Sequence, residues 1–176
     1  MSVTIGFSTP KKWNPLSWLI KKLTKSEVSH AWLLVDDPVF GVRMVMDSHL
    51  TGLRLIPFEH FLEGSTVLAL VVPQWDLDQG LLKQSKDIGD GYDVWGLAGV
   101  AYVRLMWIWF RSKVRSPLRS PGALFCSEAV TRVLQFSKYP ESEILDPEGV
   151  SPEDLLTFFK NSPACAYVHG AELKIG

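Results

Sequence analysis

The stretch SHAWLLV, residues 29–35, constrains this chain more than any other. It is a continuous apolar run behind a polar start, the pattern of a buried strand. Such a strand needs neighbours for its backbone groups, and the sequence supplies candidates. VTIGF (3–7) and TVLALVV (66–72) read as strands, while VRMVMDS (42–48) and GLRLIPF (52–58) look like a pair joined around HLTG. DDPVFG, just before that pair, is a turn.

Helical signals fill the rest. In NPLSWLIKKL (14–23), Asn14 is a suitable cap and Pro15 suits the first turn. Pro57 opens a short helix in PFEHFLEG, and Asp76 is placed to cap a helix running toward the glycines of IGDGY. VWGLAGVAYVRLMWIWF (94–110) reads as an apolar helix, followed by the basic loop RSKVRSPLRSPG (111–122). CSEAVTRVLQF carries Ala129, Val130, Val133 and Leu134 on one helical face. SPEDLLTFF (151–159) has a capping pattern, with Ser151 as cap, Pro152 first and Asp154 reaching back. AYV and ELKI close the chain as short strands. Strands come mainly first and helices later, which predicts an α+β fold, an antiparallel sheet packed against helices. With 176 residues and no repeat or linker, the expectation is one domain over 1–176.

Composition narrows the function classes. The chain is 47% hydrophobic and 21% charged, which suits a globular protein, and a net charge of −1 gives no global reason to expect nucleic acid as a partner. Two distant cysteines make no disulfide framework, and no Cys/His cluster has zinc spacing, so neither a metal nor another cofactor is expected. The N-terminus, MSVTIGFSTPKKW, lacks the apolar core of a signal peptide. The expected location is therefore the cytoplasm, or delivery within a larger assembly such as a virion. Segment 94–110 has 17 residues with Arg104 near its middle, at the lower limit for a bilayer span. A core helix, or one docked on a protein assembly partner, is the preferred reading, and membrane contact is the less favoured one. Seven tryptophans and nine phenylalanines are many for this length, so some are expected to stay exposed for a ligand or partner.

The reactive candidate is Cys126, between a short apolar run and a helix in GALFCSEAVTRVL. Free N–H groups and the dipole at a helix start favour a thiolate, and the same groups suit an oxyanion beside the sulfur. Position alone leaves a packed thiol and a nucleophile both open. Cys165, in PACAYV, has no such setting and reads as a small core residue.

A nucleophilic thiol needs a base. His60 falls in a short surface helix, His169 at a turn, and His49 in or beside the hairpin turn. His30 opens the apolar strand, where packing can fix it while its ring reaches a cleft; a core histidine bonded to backbone is the alternative. If 29–35 and 42–48 are antiparallel neighbours, the end of the second strand lies by the start of the first. That brings Asp47 beside His30 as the group that orients the imidazole. His49 is the next candidate, and a turn-forming aspartate is the other reading of Asp47.

The order FST…SHAWLLV…VMDSHLTGL…YDVWG…LFCSEAV…SPEDL resembles the circularly permuted NlpC/P60 group of papain-like proteins. There the histidine precedes the cysteine and lies in an S-H-x-small-apolar strand. A polar residue ends the next strand before a glycine-led hairpin. The cysteine sits in an aromatic-C-S-E motif, with a YD pair before it (Tyr92 and Asp93 here) and a P-x-D-L helix start after it. The likeness covers roughly residues 4–160. It implies Cys126 as nucleophile, His30 as base and Asp47 as orienting group, in a papain-like fold of permuted order. Many relatives carry glutamate where Asp47 stands, and a shorter carboxylate reaches less far, which keeps His49 or a water bridge open. Many also have a residue smaller than Trp32 after the histidine, so this indole either narrows the cleft or fills the core. Glu128 is expected to point away from Cys126. The implied activity is a cysteine peptidase or amidase acting on peptidoglycan peptides, delivered by a larger bacterial or phage assembly. The alternatives are a lipid thioesterase or acyltransferase, and a catalytically idle structural component.

Overall fold

The computed structural model describes residues 2–88, apart from 37, 40, 50 and 51, together with 126–169; for Leu16, His49 and 167–169 it describes the backbone alone. The expected helix 94–110, the basic loop 111–122, Tyr92, Asp93 and the ELKI strand lie outside the described residues.

The architecture is α+β. Six strands, β1 (Ser2–Pro10), β2 (His30–Asp36), β3 (Met44–His49), β4 (Gly52–Pro57), β5 (Ser65–Pro73) and β6 (Cys165–His169), form one open sheet in the order β4-β3-β2-β1-β5-β6. Every neighbouring pair is antiparallel. Five helices are described: α1 (Pro15–Thr24), α2 (Phe58–Gly64), α3 (Asp78–Gln84), α4 (Cys126–Phe136) and α5 (Pro152–Asn161).

Both faces of the sheet are covered, which is why SHAWLLV carries no polar alternation. Ala31, Leu33 and Val35 of β2 join Ile5 and Phe7 of β1 in a core with Val130, Val133 and Leu134 of α4, Leu155 and Phe159 of α5, and Leu81 of α3. On the other face Trp32 and Leu34 meet Val45, Phe58 and Phe61, so α2 roofs this smaller cluster. Trp32 is fully buried, its ring centroid 4.7 Å from that of Phe61, and its Nε1–H donates to Ser8 Oγ at 3.1 Å. The indole therefore fills core space. It lies so close over β1 that a Cβ on Gly6 would stand 2.2 Å from the ring, so only glycine fits there.

Local signals place most helix ends. Asn14 Oδ1 accepts from the Ser17 N–H at 3.1 Å, and Ser151 and Asp154 close a reciprocal capping box at the start of α5. Asp76 departs from expectation. The residue before α3 is Leu77, which has no side-chain cap bond, and Asp76 Oδ1 accepts from the Asp78 N–H at 2.8 Å. This is an Asx turn one residue upstream, and its sequence signature is that of a cap. The helix also stops earlier, at Gln84, and tightens into a 3-10 turn over Ser85–Asp87. Cys165 is half-buried against the core, its Sγ 3.2 Å from the Phe159 carbonyl oxygen. Among the described residues no helix is long and apolar enough to cross a membrane.

Candidate active site

Two independent packing events build the site. The apolar face of α4 presses on the sheet and brings Cys126, its first residue, to the start of β2. The hairpin β3–β4 sets the other side. Its register pairs His49 with Gly52, whose φ of 113° needs glycine, and hence pairs Asp47 with Arg54. The β2–β3 ladder runs from Leu33–Met46 to Val35–Met44, so the end of β3 passes alongside the start of β2.

Cys126, His30 and Asp47 meet there. The Cys126 sulfur and the His30 ring stand close enough for each to shift the other's ionisation. His30 Nε2 lies 3.4 Å from Asp47 Oδ2. That is a long hydrogen bond, in keeping with the short reach of an aspartate. The imidazole stacks on Phe61, centroids 6.3 Å apart and planes 26° from parallel, which gives the ring an apolar neighbour on one face. Cys126 is 6% exposed and the His30 side chain 22%.

Arg54 is the member that sequence reasoning missed. Its Nε donates to Asp47 Oδ1 at 2.7 Å and its Nη2 to Oδ2 at 3.2 Å, a two-point grip on a carboxylate that is almost fully buried. Only the register of the hairpin brings it there: a connection that pairs residue 49 with 52 also pairs 47 with 54. A second unforeseen contribution is the Ala31 backbone. The β3 ladder begins only at Leu33, past the first residues of β2, and the backbone N–H groups of Ala31 and of Ser127 at the helix start both favour the ionised form of the sulfur. The latter matches the expectation that free N–H groups of the helix serve the sulfur.

Electrostatics follow from these contacts. Burial alone would lower the His30 pKa, but the charge of the Cys126 sulfur and the bond to Asp47 outweigh it and push it up to about 10. Burial alone would raise the Cys126 pKa, yet the imidazolium and the two backbone N–H groups bring it below its ordinary value. Burial likewise opposes ionisation of Asp47, and His30 and Arg54 hold the carboxyl below the ordinary range despite it. The arrangement favours a thiolate beside an imidazolium, with a carboxylate and a guanidinium behind them. Such a pair can supply an ionised sulfur and return a proton from the ring.

The other candidates do not join this group. His60 is exposed on α2, and His169 falls in β6, at the far end of the sheet order from β3. His49 continues β3 past Asp47, and its side chain lies outside the described residues. Glu128 is buried, and its Oε1 accepts from Arg132 Nη2 at 2.8 Å on the same helix. Among the described residues no three His, Cys, Asp or Glu side chains gather as a metal site. The fold and this cluster define an α+β protein with a buried cysteine–histidine–aspartate chain. No protein-family model matches the sequence, and no curated protein matches it.

Proposed function

We propose that the chain is a cysteine hydrolase of the permuted NlpC/P60, papain-like type, cleaving an amide bond in peptidoglycan peptides. The observation that supports this reading is the meeting of Cys126, His30 and Asp47 in one place, the sulfur and the ring shifting each other's ionisation and the ring 3.4 Å from the carboxylate. The thiolate attacks the amide carbonyl and forms a carbon–sulfur bond, while backbone N–H groups at the start of α4 offset the charge on the oxygen. As the carbon–nitrogen bond breaks, the His30 imidazolium gives its proton to the leaving amine. His30 then takes a proton from water, the hydroxide attacks the thioester, and the thiolate is regenerated as the acid leaves. Asp47 holds the ring and favours its charged form, and delivery to the wall falls to a larger bacterial or phage assembly. A lipid ester or thioester is the second substrate reading, favoured by the exposed Trp13 and Trp18.

Incubation with muropeptides tests the proposal. Release of free amine by the wild type, lost in Cys126→Ala and reduced about 10²–10⁴-fold in His30→Ala, is the expected result. Fatty-acid release from lipid with the same Cys126 dependence moves the activity to the second reading. Neither product, together with a thiol inert to iodoacetamide at neutral pH, leaves a structural component and overturns the enzyme.

A further inference from the structure

Residues 11–25, KKWNPLSWLIKKLTK, contain five lysines and no carboxylate. Their charge is +5 in a chain of net −1, so the remaining residues sum to −1 − 5 = −6. No salt bridge engages these lysines among the described residues. This charge separation coincides with the least expected apolar exposure in the structure. Trp13 is 79% exposed, Trp18 50% and Leu19 36%. Neither indole N–H donates a hydrogen bond among the described residues, whereas the exposed Trp75 does, to the Ser137 carbonyl oxygen at 2.9 Å.

The helix is turned outward for a physical reason. Ser17 is its buried polar residue, and its hydroxyl bonds that of Ser29 at 2.7 Å, which pins α1 to the body beside His30. Trp18, Leu19 and Lys22 then share the outer face, with Lys22 Nζ 4.8 Å from the centre of the Trp18 ring. Lys11 Nζ donates to the Leu62 carbonyl oxygen at 2.6 Å and Lys21 Nζ to Thr9 Oγ1 at 3.2 Å, which leaves Lys12, Lys22 and Lys25 as the cations turned outward. Indoles flanked by such cations match the boundary between lipid headgroups and acyl chains, where a ring has apolar matter on one side and water on the other. Lysine stems cover apolar surface while their ammonium groups reach phosphate.

We propose that α1 and the turn before it form a docking surface for an anionic lipid bilayer, with Trp13 and Trp18 at headgroup depth and the lysines on lipid phosphates. This holds independently of the chemistry at Cys126, and it would set the Cys126–His30 pair close to the membrane plane.

Sedimentation of the full chain with vesicles tests it, using phosphatidylcholine alone and phosphatidylcholine mixed with phosphatidylglycerol. The expected result is binding to the mixed vesicles only, weakened by salt and abolished in Trp13→Ala/Trp18→Ala. Each of Lys22→Gln and Lys25→Gln lowers the partition coefficient about fivefold. Unchanged thermal unfolding and unchanged Cys126 alkylation in these variants show that the fold and the reactive pair are intact. Three results overturn the proposal: no binding to mixed vesicles, equal binding to neutral ones, or undiminished binding by the double tryptophan variant, which would assign it to another segment such as 94–110. In the first case, a dimer dissolved by Trp18→Ala or capture of a single-stranded oligonucleotide would give the surface a different occupant.

Discussion

Arg54 changes what Asp47 can do for His30. A buried carboxylate that faced only an imidazole would be free to rotate and costly to keep ionised. The guanidinium fixes its plane and its charge, so the carboxylate that meets the ring is already oriented. Arg54→Ala should therefore destabilise the protein by about 1–3 kcal/mol in denaturant titrations, the cost of stripping hydrogen bonds from a buried acceptor. Arg54→Lys should recover only part of this, since an ammonium cannot reproduce the two-point contact. The thiol carries a second prediction. The rate of Cys126 alkylation by iodoacetamide should have its pH inflection below the 9.0 of an ordinary thiol. A thiol that turns reactive only near its ordinary 9.0 would contradict the ion pair. Asp47→Asn should move that inflection upward, because a neutral amide supports the imidazolium less. At this scale Asp47 was legible through hairpin geometry, since any antiparallel return brings 47 back toward 30. Arg54 demanded the exact pairing of two strands, which local patterns leave open by a residue.

Elements meet in this molecule through glycines as much as through apolar faces. A Cβ on Gly80 would stand 2.1 Å from the Val133 carbonyl oxygen and 2.3 Å from Ser137 Oγ, which already accepts from the Gly80 N–H at 3.0 Å. α3 and α4 touch backbone to backbone there, so Gly80→Ala must push them apart. It should cost about 1–3 kcal/mol by thermal unfolding and slow Cys126 alkylation, because α4 carries the sulfur. Gly6→Ala should be at least as damaging, displacing Trp32 from beneath α2 and with it Phe61, which stacks on His30. Helix α4 itself followed from its apolar spacing, and α5 from its capping box, because both signals are local. Asp76 shows where such signals end: an aspartate that closes an Asx turn and one that caps a helix differ only in the backbone two residues on.

Across the whole molecule, the charged site ties stability to pH from two sides. Asp47 has its pKa lowered from 3.8, so its contribution is complete above that value and is lost as pH falls through the folded one. His30 is raised from 6.5 to about 10, so its contribution is complete below pH 6.5 and is lost as pH rises toward 10. Cys126 is lowered from 9.0 and runs the opposite way, complete above 9.0 and lost through its folded value as pH falls. Unfolding midpoints measured against pH should show the alkaline decline of His30 in the wild type. In Cys126→Ala that decline should flatten and begin at lower pH, because the sulfur charge that leads the upward shift is gone. An unchanged profile would mean that the thiol and the ring do not share charge.

The sequence by itself determined what short-range physics can determine. Apolar runs bounded by turn residues marked the strands, and 3.6-residue spacing with caps marked the helices. A thiol at a helix start and a histidine at a strand start marked the two members of a candidate pair. Tertiary structure alone decided the rest. It set the sheet order that runs β6 beside β5 and β2 between β1 and β3, the burial of Trp32 under α2, the approach of Cys126 to His30, and the grip of Arg54 on Asp47. These are contacts between residues far apart in the chain, fixed by which faces must be buried together. No local pattern carries that information, because a pattern reports a residue's preference and a contact depends on two.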